Sequence, residues 1–233
     1  MSNLAVSTAR TWGRAIASYG LWVMRLARFH TEGKADIPTG PVIFVDWHCM
    51  NLMAVAFYHM LHRARVCQSF VPPGLVGASV CGWVEGSGIE PVQLPKDGTG
   101  NARAALQHMT HALAAGSDVV ISLDGPHGPA GRVRPGALWL ASMTGCPLVP
   151  TAFAARPALR LPRWDRHLVP LPGAQIAVVF GAPVRLERNT KIDRTHLETV
   201  GAKLDEATRR AWKILAWSLH RTANLDMLPE SDQ

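Results

Sequence analysis

Apolar residues in this chain gather in short unbroken runs separated by stretches of helical periodicity. Val42-Ile43-Phe44-Val45, Val119-Val120-Ile121 and Val178-Val179-Phe180 are runs of this kind, the signature of strands buried on both faces of a sheet. With turn-forming residues as boundaries, strands are expected at 42–45, 65–70, 89–94, 118–123, 148–154 and 175–180. Helices are expected at 51–61, 75–83, 102–114, 136–143 and 194–221, the third of them ended by Gly116. Strands that alternate with helices predict an α/β fold: one domain with a mixed, mostly parallel sheet covered by helices on both faces.

Residues 5–29 read as an N-terminal amphipathic helix. Trp12, Ile16, Tyr19, Trp22, Val23 and Leu26 share its apolar side, and Arg10, Arg14 and Arg25 lie elsewhere. Tryptophans suit headgroup depth and arginines suit anionic lipid, so the pattern fits a helix lying in a membrane interface. A helix packed on the domain has the same pattern. The expected organisation is therefore a membrane-surface helix over 1–36, an α/β core over 37–190, and a C-terminal helix packed on that core, with a short tail, over 191–233.

The 233 residues are 48% hydrophobic with a formal charge of +7, and the sequence pI is about 9.7. One sizeable core fits this length. The positive charge favours an anionic partner: an acidic bilayer surface, a phosphorylated substrate or an acidic carrier. Basic residues such as Arg156, Arg160, Arg163 and Arg166 are not arranged as a nucleic-acid module, so no nucleic acid is expected. Cys49, Cys67, Cys81 and Cys146 form no C-x-x-C pair, which points away from a disulfide framework or structural zinc and toward a reducing compartment. The apolar run Tyr19 to Met24 is too short to span a bilayer.

Two strand exits carry candidate chemistry. The strand at 118–123 empties into Asp124-Gly125-Pro126-His127-Gly128-Pro129, a stiff, glycine-containing loop whose N–H groups are expected to converge on phosphate or an oxyanion. The first strand ends at Asp46-Trp47-His48, and His48 is the candidate general base. Asp124 and Asp46 are the candidate carboxylates to orient its ring, and a backbone carbonyl is a third option; Asp124 is equally read as a loop-forming residue whose carboxylate accepts N–H bonds of its own turn. Gly125, Pro126, His127, Gly128 and Arg132 are expected to bind substrate, with Arg134 beside them. Lys96, ahead of Gly98 and Gly100 at a helix start, is a candidate phosphate ligand. Cys49 is a conceivable thiol nucleophile. The pairs His59/His62 and His108/His111 lack acidic or thiol partners, so no metal site is expected. No G-x-S-x-G elbow or Walker loop occurs.

Together these blocks resemble the glycerolipid and lysophospholipid acyltransferase superfamily over about residues 41–184, and within it a bacterial branch with a D-G-P-R-G-P type third block. The matching pieces are His48, Asp124 to Pro129, Gly136 at a helix start, Gly145-Cys146-Pro147-Leu148-Val149-Pro150, Trp164-Asp165-Arg166 and Val178 to Pro183. Where the superfamily places an acid four or five residues after the histidine, this chain has Met53, a departure shared within the branch; His127 stands where relatives carry arginine. The resemblance implies transfer of a fatty acyl group from a thioester on coenzyme A or acyl-carrier protein to a hydroxyl or amine of a lipid or amphiphilic acceptor, with no other cofactor. It implies a peripheral protein on the cytoplasmic face of the inner membrane, with the fatty chain in an apolar groove walled by helix 51–61. The alternatives are a catalytically silent lipid-binding relative and a thioester or lipid hydrolase using the same pocket.

Overall fold

The computed structural model describes residues 2–61, 63–94 and 102–225. Its centre is one seven-stranded sheet: β1 (Arg28–Glu32), β2 (Ile43–Asp46), β3 (Cys67–Val71), β4 (Glu90–Gln93), β5 (Asp118–Ser122), β6 (Leu148–Arg160) and β7 (Leu168–Phe180). The spatial order is β1-β7-β6-β2-β5-β3-β4. All neighbours pair parallel except β6 with β7. The helices are α1 (Asn3–Leu26), α2 (Asn51–Met60), α3 (Gly74–Gly86), α4 (Ala102–Ala114), α5 (Gly136–Thr144) and α6 (Arg194–Leu225).

The parallel strands β2 and β5 are buried on both sides. Phe44 meets the Tyr58 ring of α2 edge-on at 5.7 Å, whereas the Trp47 indole, emerging on the other side of β2, donates to Asp205 of α6 at 3.0 Å. Helices therefore cover both faces, as the alternating pattern predicts. At the far end of the strands, Asp118 accepts from Val42 N–H, the Tyr58 hydroxyl and the Arg63 guanidinium, and Arg63 also donates to the carbonyls of Pro38 and Gly40. Every buried charge in that clamp has its partners, so it fixes the sheet end without an orphaned group.

Two features differ from expectation. The segment expected to be the tail of the first helix is β1, an edge strand parallel to β7 in register Arg28 with Gln175. Strands β6 and β7 run on as a thirteen-residue antiparallel hairpin, with an irregularity between Arg156 and Ala158. Pro157, Pro162, Pro170 and Pro172 read as strand breakers in the sequence. In the structure this outer part of the hairpin has lost its other sheet neighbours, so a missing N–H donor breaks no ladder.

Helix α1 packs against α3 by close backbone approach. A side chain at Gly13 would stand 1.8 Å from the Ser79 carbonyl oxygen, and one at Gly82 2.1 Å from that of Arg10. Arg10 pairs with Glu85 across the seam, and the Tyr19 hydroxyl donates to the Pro170 carbonyl at 2.9 Å. Gly13, Ala17, Gly20, Val23 and Met24 face inward. Trp12, Ile16, Trp22 and Leu26 stay exposed. Among the described residues, no helix is long and apolar enough to cross a membrane.

Candidate active site

Strands β2 and β5 are neighbours in register Asp46 with Ser122, so their exits lie side by side at the carboxyl end of the sheet, where α/β folds place their sites. The chain turns directly after β2 into a short 3-10 segment, His48–Met50, before α2 begins. The Asp124 carboxylate ties the two exits together. One oxygen accepts the His48 backbone N–H at 2.8 Å and the other accepts the Gly131 N–H at 3.2 Å. Burial pushes the Asp124 carboxyl up, and these N–H bonds oppose that rise only in part.

Asp124 and Asp46 are thus not the groups that orient the His48 ring; that role belongs to Asp165. His48 Nδ1 lies 2.7 Å from Asp165 Oδ2, and His167 Nδ1 lies 3.2 Å from the same oxygen. The Asp165 side chain is fully buried, those of His48 and His167 nearly so. Burial raises the Asp165 carboxyl, but hydrogen bonds from the two imidazoles and the nearby charge of Arg163 outweigh it and hold it below its ordinary value. An ionised carboxylate only accepts, so Nδ1 of His48 is the donor of this bond, and in the neutral ring Nε2 is the nitrogen with the lone pair. Burial pulls His167 down despite the opposing pull of Asp165, which keeps that ring neutral near pH 7.

Asp165 sits in the turn of the β6–β7 hairpin, 117 residues from His48. The turn is closed by Leu161 N–H to His167 carbonyl and Arg166 N–H to Arg163 carbonyl. Trp164, one residue earlier, stacks at a tilt 5.1 Å from the His48 ring. Gly128 completes the wall: its φ is +68°, and an added Cβ would stand 2.6 Å from the Trp164 ring. Only glycine both adopts that backbone and lets the loop touch the indole.

The loop is less open to an anion than its composition suggests. Gly125 N–H is used by the Ser122 carbonyl and Arg132 N–H by the Pro129 carbonyl. The run 123–127 is itself a hydrogen-bonded turn, and Gly128 behind it is buried. Pro126, His127 and Arg132 are exposed, and Arg134 is turned onto the Gly128 carbonyl. Lys96 and His62 lie outside the described residues. His59, His108 and His111 are exposed.

Asp46 is 1% exposed, and neither carboxylate oxygen has a hydrogen-bond partner in bonding geometry. Burial pushes its carboxyl up to about 7; the nearby Ser122 hydroxyl opposes this and the Asp124 charge adds to it. Cys49, beside the same carboxylates, is pushed up to about 12. A half-buried thiol held this high carries little thiolate and is a poor nucleophile.

Helix α2 does not wall an open groove. The space beneath it, between Phe44, Asp46, Phe57, Tyr58, Phe153 and Phe180, has a free volume of about 10 Å³, room for about one water. A depression of about 520 Å³ between residues 38–41 and 144–147 opens at the opposite end of the strands from His48.

No family model matches this chain. It is 25% identical over 169 residues to an uncharacterized protein of Rickettsia prowazekii (strain Madrid E), an alignment spanning 72% of this chain and 75% of that protein.

Proposed function

We propose that this protein is an acyltransferase that moves a fatty acyl group from a thioester, on coenzyme A or acyl-carrier protein, to a hydroxyl or amine of a lipid or amphiphilic acceptor. The observation that carries the reading is the hydrogen bond of 2.7 Å between His48 Nδ1 and the buried Asp165 carboxylate. It fixes the tautomer in which Nε2 accepts a proton, and a positioned base of this kind contributes about 10²–10⁴-fold to a rate.

Nε2 takes the acceptor proton as its oxygen or nitrogen attacks the thioester carbonyl. A new bond forms to carbon, and the carbonyl electron pair moves onto oxygen. Backbone N–H groups of the 124–131 loop, which Asp124 ties to the His48 exit, are the candidate donors for that oxyanion. Collapse breaks the C–S bond, and the proton on His48 passes to the departing thiolate. Exposed His127 and Arg132 are positioned on this loop for an anionic headgroup. The silent lipid-binding alternative draws its support from Met53 and His127; Asp165 supplies an acid in place of the one missing at Met53, and His127 still stands where relatives carry arginine.

The exposed apolar residues of α1, with Arg10, Arg14 and Arg25, fit a peripheral site on an anionic bilayer at the cytoplasmic face of the inner membrane. The test is acyl transfer from labelled acyl-coenzyme A and acyl-carrier protein to a panel of lysophospholipid and amine-bearing lipid acceptors in mixed vesicles. Turnover is expected to fall by about 10²–10⁴-fold in His48→Ala and in Asp165→Asn, with folding intact by circular dichroism. Product forming at the wild-type rate in His48→Ala overturns the mechanism, and release of free fatty acid independent of every acceptor makes the protein a hydrolase instead.

A further inference from the structure

We infer that His48, Asp165 and His167 also form a binding site for a divalent transition metal, zinc in particular, and that zinc there switches the base off. The second half of this inference rests on the proposed role of His48. The three ligating atoms, Nδ1 of each imidazole and a carboxylate oxygen, all lie within 4.8 Å of one another. Two imidazoles and one carboxylate are donors suited to zinc, and three protein ligands leave a fourth position open.

The rearrangement needed is small. Ligands about 2.0 Å from a tetrahedral ion stand about 3.3 Å apart. His167 Nδ1 is already 3.2 Å from Asp165 Oδ2, and the His48 contact at 2.7 Å has to open by about 0.6 Å. The other carboxylate oxygen, Oδ1, is buried and accepts no hydrogen bond. Arg163, half exposed, lies 3.7 Å away on the Oδ1 side and leaves Oδ2 to the ion. The sequence offers no warning of this cluster because its members come from the exit of β2 and the turn of the β6–β7 hairpin.

Zinc at this position acts on catalysis through the tautomer. A neutral imidazole holds one proton. With the metal on Nδ1, that proton moves to Nε2, which changes from acceptor to donor and no longer takes a proton from the attacking hydroxyl. No net proton release from His48 is required. The ion therefore inhibits, and a chelator restores the free base.

Binding is read without reference to turnover, by Zn²⁺ calorimetry and by the visible d–d bands of Co²⁺ added to the full chain after EDTA treatment and desalting. The wild type is expected to saturate at micromolar metal and give the intense bands of tetrahedral Co²⁺. His167→Asn and His167→Gln, with the exposed histidines untouched, are expected to bind at least about tenfold more weakly. Metal affinity and Co²⁺ spectrum equal in wild type and both variants overturn the site. Acyl transfer is then compared in EDTA and in saturating Zn²⁺. Equal rates overturn the switch. Zinc binding in a protein with no acyl transfer in EDTA leaves the metal site standing and sinks the acyltransferase reading alone; acyl transfer in EDTA without metal binding does the reverse.

Discussion

Asp46 gives the sharpest test of the site's electrostatics. Its carboxyl is buried among Phe44, Phe57, Tyr58 and Phe153; no donor reaches it in bonding geometry, the nearby Ser122 hydroxyl offsets its burial only in part, and it is pushed up from 3.8 to about 7. At about 1.4 kcal/mol per pH unit, that interval is worth roughly 4 kcal/mol. The sign follows from which state holds the proton. Between 3.8 and about 7 the folded chain keeps it while the unfolded chain has released it, so stability from this group is complete below about pH 3.8 and is lost as pH rises through 7. Asp46→Asn cannot ionise and escapes that loss. Urea unfolding of wild type and variant at pH 4, 5, 6, 7 and 8 gives the difference directly, and groups that titrate independently of Asp46 cancel. The variant's stability relative to wild type is expected to rise by roughly 2–4 kcal/mol from pH 4 to pH 8. Two stability curves that run parallel across this range refute the buried, unpaired carboxyl.

The other features are open to equally direct tests. Gly82→Leu drives a side chain into the Arg10 carbonyl and is expected to lower stability by about 1–3 kcal/mol, read as a drop in Tm; an unchanged Tm contradicts the close α1–α3 seam. Trp12→Ser with Trp22→Ser removes two exposed indoles and is expected to weaken sedimentation with vesicles rich in anionic phospholipid by at least about tenfold at unchanged Tm. Vesicle binding equal to wild type moves the membrane surface away from α1.

The adjacency of the His48 and Asp124 exits was legible in the sequence because strands buried on both faces announce themselves as apolar runs, and neighbouring parallel strands end at the same edge. Helix α4 occupies Ala102–Ala114, the span its periodicity predicts. What escaped has a physical reason in each case. Arg28-Phe29-His30-Thr31-Glu32 is a half-buried edge strand with four polar residues and one apolar, and next to a helix it reads as that helix's tail. Both readings of Asp124 stay open in the sequence because spacing does not distinguish a carboxylate bonded to backbone N–H groups from one bonded to an imidazole; in the structure it takes the backbone bonds. Asp165 stood within a quoted motif, Trp164-Asp165-Arg166, yet nothing local ties it to His48. Only the order β2-β6-β7 and the length of the hairpin bring it there.

That route for the acid has a consequence at Met53, the position where the resemblance leads one to expect a carboxylate. Met53 is 0% exposed and belongs to the main core, so a carboxylate there has no water and must find a partner or remain neutral. Asp46, Asp124 and Asp165 already surround His48 and Cys49, and a fourth acid in this neighbourhood adds repulsion to the cost of burial. Replacing the buried thioether by an unpaired carboxyl costs several kcal/mol on the scale of buried charges that lose their partner, about 3–5 kcal/mol. Met53→Asp is therefore expected to lower stability by about that amount, and Met53→Asp with Asp165→Asn is expected to show no recovery of acyl transfer over Asp165→Asn alone. Recovery to within about tenfold of wild type would mean that His48 can take its orientation from α2, and that the hairpin turn is dispensable for the base.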